Sequence, residues 1–237
     1  KERTREVVSQ KEEIEYQNRE ITDSINYAQR IQASLLPRTE KLSDSFKGSF
    51  VFFRPRDIVS GDFYWSSAAG SEIIIAAVDC TGHGVPGAFM SMLGITLLDE
   101  QLGKIRLDAP GEMLDTLRSK LKNMLVQQGH AEEQKDGMDM AVAILNKKEK
   151  VLHFAGAQNP LYLVRKGRSL VELEPGLEAS SSMNGFQLFD IKGDRQPIGV
   201  YWKETEFTNH RMKLKDQDTL YVFTDGFIDQ FGGAQRK

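Results

Sequence analysis

Three short segments set an aspartate beside glycine at the end or edge of an apolar run: Ser60-Gly61-Asp62, Val78-Asp79-Cys80-Thr81-Gly82-His83-Gly84 and Phe223-Thr224-Asp225-Gly226. A carboxylate at a buried strand end costs, as a rough figure, several kcal/mol of desolvation unless it is paired or bound to a cation. Three such acids converging without basic partners repel one another, and a hard divalent ion taking oxygen ligands relieves that repulsion. The glycines let backbone approach the ion and its waters. Taken singly, Asp-Gly is ordinary turn chemistry, and an Asp ahead of a proline-started helix is an ordinary cap. Their joint appearance, with Thr81-Gly82-His83-Gly84 filling a turn far richer than a cap requires, points to a metal site.

The elements that must position these acids can be read from periodicity. From Lys1 to Leu36 there is no glycine or proline, charges of both signs alternate, and Pro37 marks a stop, which predicts one long helix. Val7, Ile14, Ile21, Ala28 and Leu35 recur at heptad spacing, but Gln10, Gln17 and Ser24 between them are polar, with Ile25 and Ile31 compensating late. So narrow a stripe favours a parallel dimer over a solvated helix packed on its own domain. A polar linker is expected near residues 39–48. SFVFFRPRDIVSGDFYW then reads as two short strands joined by a turn around Ile58 to Gly61.

The run Glu72 to Val78 has the length of a strand covered on both faces and ends at Asp79. Pro86 to Leu102 and Pro110 to Gln128 read as two helices begun by proline, with Phe89, Leu93 and Leu97 as the core face of the first against Ile73 to Val78. Strand signals return at Met138 to Leu145, Val151 to Ala155, Leu161 to Val164, Phe207 to Leu214 and Thr219 to Thr224. Glu174 to Phe186 reads as a mobile polar loop. Strands, a helix pair and strands again predict an α+β fold with a mostly antiparallel sheet.

Composition narrows the function. With 31 basic and 34 acidic residues in 237, a net charge of −3 gives no general attraction to nucleic acid or to an anionic membrane surface. Cys80 is the one cysteine, which rules out an intramolecular disulfide and a thiolate metal cluster and suits a reducing cytoplasm. No apolar run reaches the length of a membrane span and the start lacks a secretion signal's apolar stretch. The expected location is cytoplasmic, alone or as the cytoplasmic part of a larger membrane-anchored sensor. No Walker-type phosphate loop occurs, and the cysteine lacks the loop of a cysteine phosphatase.

The order SGDFYW, AAVDCTGHGVPGAFMSM, GMDMAVAIL, HFAGAQNPLYLVRKG, QPIGV and TLYVFTDGFIDQ, after AQRIQASLLP, resembles the SpoIIE/RsbU-like branch of the PPM metal-dependent protein phosphatases, over about Tyr27 to Gln230. The resemblance implies a two-layer antiparallel β-sandwich flanked by helices, a Mn²⁺ or Mg²⁺ pair at one end, and hydrolysis of phosphoserine or phosphothreonine. It carries metal-site roles onto Asp62, Asp79 and Asp225, and a backbone-carbonyl ligand onto Cys80, whose thiol reads as a small buried side chain. Asp139 resembles an acidic position for an accessory third metal, and equally reads as a strand-turn cap. His83 stands at a different spacing from the family's Asp-Gly-His order, which favours a turn role; His153 reads as packing.

Arg54 and Arg56 lie close enough before Asp62 to reach an entering phosphate, and equally read as solvated edge cations. The division expected is a signalling and dimerising helix at 1–36 and a phosphatase domain at 37–237. That domain is expected to be C-terminally incomplete, because the family places a further acidic ligand after its Asp-Gly turn. The substrate implied is a phosphorylated bacterial signalling protein, an anti-sigma-factor antagonist by resemblance. The alternative is a non-catalytic dimeric interaction module with a degenerate metal site.

Overall fold

Periods of 3.6 and 2 residues alternate along the chain, and the computed structural model, which describes residues 2–38, 46, 48–104, 106–127, 135–167 and 179–227, converts them into helices and two antiparallel sheets. The order is α1 (Glu2–Leu35), β1 (Phe63–Ala69), β2 (Glu72–Cys80), α2 (Gly84–Gln101), α3 (Pro110–Met124), β3 (Met138–Asn146), β4 (Val151–Ala157), β5 (Leu161–Lys166), β6 (Ser181–Met183), β7 (Phe186–Ile191), β8 (His210–Lys213) and β9 (Thr219–Val222), followed by a 3₁₀ turn at Asp225–Phe227. One sheet has five strands in the order β1-β2-β3-β4-β8, the other four in the order β6-β7-β5-β9. The two-layer sandwich with helices is the architecture expected.

Strand alternation decides what fills each layer. On β3, Met140, Val142 and Ile144 join Ile74, Ala76 and Val78 of β2 against α2 and α3, where Leu98, Met113, Leu114, Leu117 and Leu121 are fully buried. The intervening Ala141 and Ala143 face the other way, with Leu152, Phe154, Leu161, Leu163, Phe189 and Ile191 between the sheets. The polar linker expected near residues 39–48 falls largely outside the described residues.

Four expectations are corrected. The segment before β1 forms no strand. Val51 and Phe53 turn inward and Phe50 and Phe52 outward, so the alternation is real, but among the described residues no ladder partner stands beside it. Within the supposed polar loop, Ser181–Met183 pairs with β7 as a hairpin whose turn, Asn184-Gly185, has positive φ at both positions (53° and 79°). Asn-Gly between Met183 and Phe186 is the sequence signal for that turn; residues 174–178 lie outside the described residues.

The expected strand Phe207 to Leu214 shortens to β8, because the Phe207 and Thr208 amides donate instead to Asp115 (3.2 Å) and Asp194 (2.7 Å). Finally, Phe89 is 67% exposed, and α2 packs through Ala88, Ser91, Gly94, Ile95 and Leu98. A Cβ on Gly94 would stand 2.8 Å from the Met138 sulfur and 2.9 Å from the Phe63 ring, so the helix meets the sheet by a small-residue face that a search for large apolar side chains overlooks.

α1 is almost wholly exposed from Arg3 to Ser24 and touches α2 only near its end. Among the described residues no helix is long and apolar enough to cross a membrane. Within β2, Ile74 is fully buried against the helices while Ile75 is half-buried toward the second sheet. Ile74→Ala should lower the unfolding free energy by about 2–5 kcal/mol, and Phe89→Ala by less than about 0.5 kcal/mol, measured by urea denaturation.

Candidate metal centre

All three acidic turns reach the same end of the sandwich. β1 begins just after Asp62, β2 ends with Asp79-Cys80, and the 3₁₀ turn that opens with Asp225 follows β9. Antiparallel pairing also sets Asp79 opposite Asp139 and Cys80 opposite Met138 at the start of β3. The two sheets therefore each contribute acids to one edge.

Backbone contact brings the turns together. A Cβ on Gly61 would lie 2.7 Å from the Gly82 carbonyl oxygen and 3.1 Å from that of Cys80, and one on Gly87 would lie 2.5 Å from the Gly82 oxygen. Any side chain at either position would force the Asp62 turn away from the Asp79 turn. Thr224 Oγ1 donates to Asp62 Oδ2 at 2.7 Å, which ties the turn before Asp225 to the first acid. Thr81 is clamped to β3: its amide and hydroxyl donate to the Gly137 carbonyl (3.0 and 3.1 Å), and the Gly137 amide donates to the hydroxyl at 3.0 Å.

Electrostatics records the crowding. Burial first, then the neighbouring Asp62 and Asp225 carboxyls, with which Asp79 also shares hydrogen bonds, push the Asp79 carboxyl up from 3.8 to about 8. Burial, then Asp225, raises Asp139 to about 6. Burial and the charges of Asp79, Asp62 and Asp139 push the Cys80 thiol well above its ordinary value, and that side chain is 4% exposed. Among the described residues no ion pair involves Asp62, Asp79, Asp139 or Asp225.

Four carboxylates and a peptide carbonyl, with no nitrogen or thiolate donor beside them, are a donor set for a hard divalent cation. No group of three or more His, Cys, Asp or Glu side chains among the described residues stands ready-formed around one ion. The fit is thus one of chemistry and neighbourhood.

Beside the acids opens a cleft of about 370 Å³, lined by Asp79 to Gly82, Lys135 to Asp139, Pro197, Gly199 and Val200. Arg54 and Arg56 are exposed and do not line it. His83 caps α2 at the surface, its Nδ1 3.3 Å from Asp57, in keeping with a turn role. His153 lies half-buried on β4.

Sequence reasoning missed Gln32, which is 5% exposed on the last turns of α1. Its Nε2 donates to the Ser60 carbonyl (2.6 Å) and to Ser91 Oγ on α2 (2.7 Å), and its Oε1 accepts from the Ser60 amide (3.0 Å). A polar residue in a polar helix carries no sequence signal of such burial.

Known proteins share this fold. The sequence pattern of the stage II sporulation protein E (SpoIIE) family matches residues 69–237. The SiaA-PP2C domain of Pseudomonas aeruginosa is 30% identical, with a TM-score of 0.70 over 91% of this chain and 76% of that one. The PP2C phosphatase domain with a fragment of the regulatory domain of SpoIIE from Bacillus subtilis is 20% identical (TM-score 0.52, 72% of this chain, 42% of that one). The RsbU and RsbW domains of a Mycobacterium tuberculosis protein are 21% identical (TM-score 0.50, 75% and 42%). The last two show the fold alone. No curated protein sequence matches the chain.

Fold and likeness together define a PP2C-type phosphatase domain. The chain belongs to the SpoIIE family, the SpoIIE/RsbU-like branch of the PPM phosphatases.

The raised carboxyls make metal-free stability depend on pH. Folded Asp79 keeps its proton up to about pH 8 while the unfolded chain loses it near 3.8, so this contribution is complete below about pH 4 and is lost as pH rises through 8; Asp139 acts in the same direction up to about 6. In chelator, the melting temperature should fall between about pH 5 and pH 8, and Asp79→Asn should flatten the fall. Parallel profiles for both proteins would contradict the placement of Asp79.

Proposed function

We propose that this chain is a metal-dependent serine/threonine protein phosphatase acting on a phosphorylated bacterial signalling protein, with an anti-sigma-factor antagonist as the substrate class. The observation that carries the reading is Asp79 held between Asp62 and Asp225, with Asp139 across the β2–β3 ladder. In this reading Asp62, Asp79, Asp225 and the Cys80 carbonyl hold a Mn²⁺ or Mg²⁺ pair, and Asp139 serves an accessory ion. Such ions, when bound, polarise phosphoryl oxygens and lower the pKa of a coordinated water.

The chain's own groups do the rest. Asp79 would serve as a ligand in its ionised form, and the Gly61–Gly82–Gly87 contact keeps the acid turns in place without reorganisation. Water oxygen forms the new bond to phosphorus as the serine or threonine oxygen departs and takes a proton, leaving inorganic phosphate. Cys80 is no nucleophile here: burial holds its thiol protonated and out of contact with substrate.

Residues 1–36 act as a signalling helix and dimer element, and residues 37–237 as the catalytic domain, working in the cytoplasm. Gln32 supports the coupling between them, because it joins α1 to the backbone two residues before Asp62 and to α2. A shift of α1 therefore strains the Asp62 turn.

With Mn²⁺ and a phosphoserine protein, the chain should release inorganic phosphate, and Asp79→Asn should lower kcat/KM by about a hundredfold or more. A mutant that keeps its activity would refute the ligand assignment, and a wild type that binds neither Mg²⁺ nor Mn²⁺ and shows no turnover would favour the interaction module. Replacing Ile21 and Ile25 by Asp should convert a dimer to a monomer in sedimentation and shift the Mn²⁺ concentration needed for half-maximal activity; dimer loss with unchanged metal dependence would remove the coupling and leave the phosphatase.

A further inference from the structure

We propose that Lys135 is the side chain that binds the substrate's phosphoryl group in the cleft. This rests on the phosphatase reading and supplies the phosphate contact that the sequence pattern suggested for Arg54 or Arg56.

The cleft presents three carboxylates, Asp79, Asp136 and Asp139, and Lys135 is the one cation among its described lining residues. A phosphorylated side chain carries a charge of about −1.5 to −2, which a cation at the cleft complements. Lys135 is exposed, makes no ion pair or hydrogen bond among the described residues, and carries three N–H donors on its ammonium.

Its base is fixed while its tip is free. Two residues on, Gly137 is held by the Thr81 clamp, and Met138 and Ile198 exchange backbone hydrogen bonds of 2.9 and 2.8 Å. The backbone is close-packed there as well: a Cβ on Gly137 would stand 3.0 Å from the Ile198 oxygen, and one on Gly199 3.1 Å from the Asp136 oxygen. Thr81 lies two residues beyond Asp79, so the clamp ties the Lys135 backbone to the metal-binding turn. An ammonium on a flexible stem from a fixed base is a point-charge phosphate binder. Arg54 and Arg56 have charge without this placement.

The test compares Lys135→Met and Lys135→Arg with Arg54→Met and Arg56→Met. Inorganic phosphate binding to the Mg²⁺-loaded protein is measured by calorimetry, and Mn²⁺-dependent turnover is measured with a phosphoserine peptide. Lys135→Met should weaken phosphate binding about tenfold, raise KM for the peptide by a similar factor and lower kcat less. Lys135→Arg should restore most of both, and Mn²⁺ affinity in the absence of phosphate should be unchanged in each Lys135 variant. Phosphate binding unaffected by Lys135→Met overturns the proposal, as does a larger loss at Arg54 or Arg56. The calorimetric arm needs no turnover, so it decides Lys135 even if peptide hydrolysis fails, an outcome that counts against the phosphatase reading instead.

Discussion

Carboxylates crowd together only where something stronger than their repulsion holds them, and here that is backbone packed on backbone. Gly61 and Gly87 let the turn before β1 and the first turn of α2 approach the Gly82 carbonyl, in the turn after β2, to distances at which no Cβ fits. Each of these peptides belongs to an element anchored in the core: β1 and β2 by their ladder, α2 by its small-residue face on Phe63 and Met138. The desolvation cost of Asp79 is thus borne by the hydrophobic core, and it appears as a proton bound far above a carboxyl's usual range.

The same core explains why the acids come from both sheets. β2 and β3 are covered on both faces, by helices on one side and by the second sheet on the other, so their ends emerge between the layers. Ala141 and Ala143 face the layer between the sheets. Asp225, which follows β9 of the second sheet, comes within interaction distance of Asp79 on the first.

Much of this was legible beforehand because it depends on local pattern. Apolar runs ending in Asp-Gly or Gly-Asp marked the acid turns, and the absence of glycine and proline marked α1. What escaped were features whose signal is small or shared. α2 buries glycine, alanine and serine where bulk was expected, leaving Phe89 outside. The Asn184-Gly185 hairpin was hidden by a polar surrounding, although its turn residues were present. Phe50 and Phe52 carried a strand's alternation without a partner strand among the described residues. Gln32 and Lys135 could not be singled out by type at all, since their importance comes from neighbours distant in sequence: Ser60 and Ser91 for one, the Thr81 and Ile198 clamps for the other.

Gln32 also fixes an angle. Val7, Ile14 and Ile21 precede it by 25, 18 and 11 residues, and at about 100° per residue they fall within about 20° of its azimuth. The exposed apolar stripe of α1 therefore runs along the side of the helix that, at its far end, is turned into the catalytic domain. Whatever covers that stripe must lie in line with the domain rather than across from it. A second helix there would meet the surface around Ser60 and α2 end-on, and its length in turns, as much as its affinity, would decide how hard it presses.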